Sequence, residues 1–377
     1  MRRAALSAAA AAALVVLPAV TSQPVLAAGG EGGCILAPGD LGPAVAPQRL
    51  RFGITPGIAG SAGGSQGSAR PVDQGQTTRA LERMALPRRT LVIHLNRLFS
   101  SDGSAGIRAF ARQVDRYARQ GFESEVQVRY HPGSSQEGDI PAFVHFVHRA
   151  VERLGRRKSV VAFTITNEAN FPISGNTSDG SYRGVVSALT AGVVEADRTL
   201  RRIGRQRVDV GFTVAWRYLP NADLGFWQKV GQAGGRPFRR ALDFVGAQVY
   251  PGLVWPPVSI PGRSAGVEMT DALALLRRCY MPIAGLGDRV DLWVTENGYA
   301  TNLGHSETRQ ASELGSTLDA VHAVSGTLGV TDYRYFNLRD NDSDGTDLFA
   351  AVGLLRDDYS DKPAFEVMTR GIRSMGR

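Results

Sequence analysis

Short runs of apolar and β-branched residues alternate along the chain with longer stretches whose apolar residues recur every three to four positions. The first pattern reads as buried strand and the second as amphipathic helix. Strands are predicted at 51–55, 90–96, 123–130 and 208–216, and the run Ser159 to Ile165 leads into Thr166-Asn167-Glu168-Ala169-Asn170. Further strands are predicted at 242–250, at Val290 to Glu296, and at 332–338. Helical periodicity falls between them, over 77–86, 104–120, 139–154, 181–203, 223–230, 268–280, 306–324 and 363–375. Several of these helices carry their own punctuation. Gly121 and Gly155 stand where two of them stop, and Asp139 with Pro141 opens a third.

Strand and helix therefore alternate eight times with no composition break. Parallel strands need helical crossovers, so the alternation predicts a parallel sheet. Eight such units in one domain predict a single-domain (β/α)8 TIM barrel over residues 49–377. An open doubly wound sheet is the competing architecture. It expects a glycine phosphate-binding pattern and a helix straight after the first strand, and the stretch from Thr55 onward offers neither.

Composition changes this picture only at the N-terminus. A hydrophobic content of 43% and a charged content of 21% are ordinary for a globular protein with a large core. Arg2 and Arg3, an apolar stretch from Ala8 to Val20, and Val25-Leu26-Ala27-Ala28 read as a signal peptide over 1–28. Residues 29–48 read as an irregular N-terminal extension, and the chain as a secreted protein. In an oxidising compartment the two cysteines, Cys34 and Cys279, are expected to pair as a disulfide. No stretch is long enough for stable membrane insertion. The formal charge of +8 falls to +6 without Arg2 and Arg3. It is spread over helix faces with no nucleic-acid motif beside it, so no nucleic acid partner is expected.

The candidate chemistry lies at two strand ends. In a barrel the C-terminal ends of the strands build the active face. Strands four and seven, ending in Glu168 and Glu296, approach that face from opposite sides. A lone glutamate at a strand end is ordinarily a loop residue or an ion-pair partner. Two facing ones suit glycosidic cleavage, in which one carboxyl must be protonated and the other ionised.

Asn167-Glu168 and Val294-Thr295-Glu296-Asn297-Gly298 resemble the motifs of the clan of retaining glycoside hydrolases built on (β/α)8 barrels. The second run is similar to the nucleophile motif of family 1 β-glycosidases. The first, as Asn-Glu-x-Asn, is closer to cellulase-like and xylosidase-like branches. The resemblance implies Glu168 as acid/base and Glu296 as nucleophile, with oligo- or polysaccharide as substrate. It further implies that Asn167 meets the sugar 2-hydroxyl, and that Tyr250 and Arg97 hold Glu296 in its charged form. His131, Trp216 and Trp255 are further candidates for lining the sugar site. The clan often ends strand eight in a tryptophan, whereas Tyr335-Phe336-Asn337-Leu338 has none, and Phe336 or Tyr335 is expected to stand in. A non-catalytic carbohydrate-binding barrel is the alternative reading.

No cofactor is called for. Strand one has no His-x-His pair and the six histidines are dispersed, which disfavours metal-dependent hydrolysis. Asp340-Asn341-Asp342-Ser343-Asp344-Gly345 resembles the opening of an EF-hand loop. Its twelfth position is Ala351 rather than Glu, so a polar turn is expected there.

Overall fold

The computed structural model describes residues 41–57, 69–85, 91–217, 221–253 and 263–377. Eight parallel strands close into a barrel in sequence order, with the last hydrogen-bonded to the first. They are β1 Arg51–Ile54, β2 Val92–Phe99, β3 Glu123–Arg129, β4 Val160–Ile165, β5 Asp209–Ala215, β6 Phe244–Gln248, β7 Asp291–Glu296 and β8 Val330–Tyr335. The helices between them are α1 Gln74–Met84, α2 Gly103–Arg119, α3 Ile140–Gly155, α4 Val185–Arg202, α5 Leu224–Ala241, α6 Ala265–Leu275, a short α7 Met281–Ile283, α8 Glu307–Leu328 and the closing α9 Pro363–Met375. The sequence pattern thus predicts the architecture and the order of its parts.

Three elements differ from expectation for identifiable reasons. Helix α5 runs past Val230 to Ala241, where Gly234, Gly235 and Pro237 read as a stop. The backbone kinks at Gly235 (φ 57°) and resumes with Pro237 inside the helical run. Helix α8 continues past Val324 to its left-handed cap at Gly329 (φ 64°). Within that extra turn Gly326 is required, because a Cβ there would sit 2.0 Å from the carbonyl oxygen of Ala46. The segment before β1 is fastened to the same turn, with Val45 N donating to Thr327 Oγ1 (2.9 Å) and Gln48 N to Ser325 Oγ (2.8 Å). Strand β2 is longer than predicted and carries a register shift between Leu95 and Leu98, with Arg97 at φ 67°.

Two kinds of core result. Apolar faces of the helices pack on the outside of the barrel in one continuous cluster. Inside the barrel, Phe244 and Trp293 stack at 3.5 Å beside Ala162, in the lower half of the strands. Above them the interior turns polar. Glu125, Thr164, His94 and Arg334 are wholly buried there, and a barrel interior of this width is filled by side chains rather than hollow.

Cys279 lies between α6 and α7 and packs against the outer core. Its expected partner Cys34, the expected signal peptide and most of the N-terminal extension lie outside the described residues, as does Trp255. Among the described residues no helix is long and apolar enough to cross a membrane.

Candidate active site

The strand ends converge on a cleft lined by Asn96 and Arg97 from β2, Gln127 and Arg129 from β3, and Asn167 and Glu168 just past β4. Tyr250, Glu296, Phe336 and Phe349 complete it from the other side. Six sequence-predicted residues are therefore brought together: Glu168, Glu296, Asn167, Tyr250, Arg97 and Phe336.

Glu168 reaches the cleft through a backbone that leaves the β region. Thr166 (φ 69°) and Glu168 (φ 45°) both occupy left-handed conformations, each costing on the order of 1 kcal/mol for a non-glycine residue. The neighbouring hydrogen bonds fix that shape. Glu168 N donates to Thr213 Oγ1 (3.0 Å), and Asn167 N donates to Asp179 Oδ2 (2.9 Å). Asn170 exchanges two 2.8 Å bonds with the backbone of Ala215 and so ties the loop to β5. The second asparagine of the Asn-Glu-x-Asn run is thus structural.

Asp179 anchors this loop. Its Oδ1 accepts from Arg129 Nε (2.8 Å), and its Oδ2 also accepts from Tyr130 N (2.9 Å). Burial pushes its carboxyl up, and the Arg129 guanidinium opposes the rise. Removing one member of a buried, hydrogen-bonded ion pair typically costs about 3–5 kcal/mol. Asp179→Ala is accordingly expected to lower unfolding stability by about that amount, read from the denaturation midpoint in urea.

Glu296 ends β7, and Tyr250 OH donates to its Oε2 at 2.7 Å. The two residues after it explain the rest of the run. Asn297 Nδ2 donates to Val249 O (2.8 Å) while its Oδ1 accepts from Tyr333 OH (2.6 Å). At Gly298 a Cβ would lie 2.4 Å from the carbonyl oxygen of Phe336, so only glycine lets the exits of β7 and β8 approach. The rings of Tyr250, Phe336 and Phe349 meet edge to face at 5.6–6.3 Å and form the apolar wall of the cleft.

The two carboxyls differ electrostatically. Burial, then the nearby charge of Glu296, pushes Glu168 well above the usual carboxylate range. Burial raises Glu296 too, but His94, the Tyr250 hydroxyl, Arg129 and Arg97 all favour its charged form. One acid held protonated opposite one carboxylate supplied with cations and a hydrogen-bond donor is the pair that general acid and nucleophilic chemistry requires. Burial and Arg129 bring Arg97 down to about 10, which still leaves it a cation at neutral pH. The Tyr250 phenol is pushed up by burial and by Glu296, and stays a donor.

Asn167 is oriented from both ends. Its Oδ1 accepts from Gln127 Nε2 (3.0 Å) and Gln248 Nε2 (2.7 Å), and its Nδ2 donates to Thr177 O (2.8 Å). One Nδ2 hydrogen is left for a ligand.

Three predicted residues stand elsewhere. A tight turn, with His131 N bonded to Arg129 O at 3.0 Å, breaks the alternation at the end of β3. It carries the His131 ring onto Phe99, 4.3 Å between centroids. Trp216 has the opposite parity to Thr213, which faces the barrel, and packs against the outer core. Tyr335 also points away from the cleft, its hydroxyl donating to Val352 O at 3.2 Å. In the loop after β8, Asp340 is buried against Lys362 (2.7 Å) and accepts from Gly353 N (2.7 Å). Among the described residues no group of three metal-ligating side chains is assembled.

Neither a protein-family model nor a curated relative matches the sequence. The GH5_18 protein from Streptomyces cattleya, solved with GlcNAc, superposes with a TM-score of 0.58 at 14% identity, covering 87% of this chain and 80% of its own. The chain shares its barrel with glycoside hydrolases. The family 1 β-glucosidase from Thermotoga maritima gives 0.58 at 14% identity over 88% and 99% of the two chains. A fungal β-1,4-galactanase gives 0.57 at 11% over 85% and 99%. At such identities the likeness is one of fold.

Proposed function

We propose that this protein is an exported glycoside hydrolase that cleaves β-glycosidic bonds with retention. Glu296 attacks the anomeric carbon while Glu168 protonates the departing oxygen. The observation that carries this reading is the pair of buried carboxyls in one cleft, with Tyr250 donating to Glu296 and the Glu168 carboxyl pushed up by burial and by its neighbour's charge.

The same electrostatics supports the second half of the cycle. Forming a glycosyl ester at Glu296 removes its negative charge, and that charge is the main influence besides burial that holds the Glu168 proton. Glu168, which has given its proton to the departing oxygen, therefore stays ionised and serves as the base for an incoming water. Glu168 regains a proton when the ester is hydrolysed, and both residues return to their starting states. Substrate is a β-linked oligo- or polysaccharide whose ring packs on the Tyr250–Phe336–Phe349 wall.

The test is covalent. A 2-deoxy-2-fluoro β-glycoside with a good leaving group slows the second step more than release, so the glycosyl ester accumulates. Mass spectrometry of the digested protein is expected to place it on the peptide containing Glu296. Hydrolysis with no ester on that peptide, or an inverted product by NMR, would count against retention. No turnover with measurable sugar binding would favour the non-catalytic barrel.

A further inference from the structure

The loop that carries Glu168 is clasped to the barrel by one side chain. Arg129, the last residue of β3, is 2% exposed. Its guanidinium reaches three residues of the segment 175–179. Nε donates to Asp179 Oδ1 (2.8 Å), Nη1 to Asn176 O (3.1 Å) and Nη2 to Gly175 O (3.3 Å). Arg129 Cζ also lies over the Phe99 ring, 5.2 Å from its centroid. A guanidinium has five N–H donors, and here each of its three nitrogens gives one to the segment. Arg129 lines the cleft, yet its hydrogen bonds are committed to the loop.

The segment held in this way grips the residue before Glu168. Asp179 N donates to Asn167 O (2.8 Å), while Asp179 Oδ2 accepts from Asn167 N (2.9 Å). Thr177 O accepts from Asn167 Nδ2 (2.8 Å), and Ser178 Oγ donates to Phe171 O. A Cβ on Gly180 would stand 2.6 Å from Phe171 N, so the chain doubles back closely there. The left-handed backbones of Thr166 and Glu168 persist only where their surroundings over-determine them. Thr213 fixes the loop from the β5 side, at Glu168 N (3.0 Å). From the β3 side the fixing passes through Arg129. The hydrogen bond on Glu296 comes from Tyr250, across the cleft.

We propose that Arg129 is a positioning residue for the acid/base: it holds the segment 175–179, which in turn holds Thr166 to Glu168 in the backbone that aims Glu168 into the cleft. The proposal rests on the assignment of Glu168 as acid/base. A fork of fixed donors is what the role needs, because one flat group must meet a carboxylate and two carbonyls together.

Arg129→Lys tests this, since it keeps the cation and loses the fork. A proton donor misplaced by about 1 Å costs about 10²-fold, so kcat on an alkyl β-glycoside is expected to fall by about that factor. Release of dinitrophenolate in the first step, which needs no proton, is expected to fall far less. Added azide should then speed turnover of the dinitrophenyl substrate. It attacks the anomeric carbon of the glycosyl ester without a base, the bond to Glu296 breaks, and a glycosyl azide and a free carboxylate result. An equal loss on both substrates, or no loss on either, in folded Arg129→Lys would overturn the proposal.

Amide hydrogen exchange supplies a readout independent of turnover. Exchange in residues 166–181 is expected to quicken in Arg129→Lys while the β7 peptide stays as in wild type; a rise in both alike would mark a general loss of stability and overturn the proposal. If the variant does not fold, wild type decides. Its Asn167 and Asp179 amides are expected to exchange as slowly as those of β4, and fast exchange there sinks the idea. A wild type that hydrolyses no glycoside, yet whose 166–181 segment alone loosens in Arg129→Lys, contradicts the proposed function and leaves the hold of Arg129 on the loop standing.

Discussion

Glu296→Ala is expected to lower kcat/KM on an aryl β-glycoside by at least about 10⁴-fold, the scale seen when a covalent nucleophile is removed. The loss follows from what surrounds the site. Water in place of the carboxylate cannot form the ester, and the Tyr250 hydroxyl, now without its acceptor, can no longer steer a nucleophile. Steady-state kinetics on the purified variant checks this, with circular dichroism to confirm that the barrel is intact. A loss under tenfold would remove Glu296 from the mechanism.

Glu168→Gln is expected to separate two kinds of substrate. For glycosides with alkoxide-like leaving groups the rate should fall about 10²- to 10⁴-fold, the usual contribution of a placed general acid. For a dinitrophenyl glycoside, whose leaving group departs without a proton, the first step should be nearly spared. The variant should also lose the alkaline limb of the pH profile. In the wild type the rate declines as pH rises through the raised pKa of Glu168, because the proton to be donated is gone.

Stability should move the other way. A carboxyl whose pKa is higher folded than unfolded contributes stability that is fully present below the unfolded value and lost as pH rises through the folded one. Glutamine never ionises, so Glu168→Gln should gain thermal stability over wild type once the pH exceeds that raised pKa. Melting temperatures across the range would show whether the two curves diverge in that direction. An acid placed for chemistry would then be one that the fold itself tolerates poorly.

The order of strands and helices was legible because each element buries one face, and burial imposes a period. Glu168 and Glu296 were legible for the same reason, since each terminates an apolar run at a predictable end of the barrel. Arg129 and Gln127 were within reach. They share the parity of the inward side of β3, and two polar residues two apart at the end of a buried strand mark a site. Asp179 and Phe349 carried no such signal. One lies on a 3₁₀ turn, the other in the loop beyond β8, and only the closed fold brings Asp179 beneath the loop after β4 and Phe349 to the cleft. The Glu125–Arg334 contact spans 209 positions, a distance over which periodicity is silent. Arg97 shows how a local irregularity rescues a residue from the wrong parity, because the shift in β2 register turns it back toward the cleft. His131 shows the reverse, where a turn removes a residue that simple alternation would have left in place.

The stacked Phe244–Trp293 pair gives the barrel a closed bottom. Arg51 and Arg334 lie over the Trp293 ring at 4.8 and 5.4 Å, so the plug is pinned from outside its own plane as well. The cleft is therefore a cul-de-sac: whatever enters by the mouth leaves by the mouth. Under the proposed function, a polymer could not thread through the barrel and would lie across its rim, with the bond to be cut dipping toward the two glutamates. On that reading, departing sugar and arriving water would share one doorway and use it only in turn.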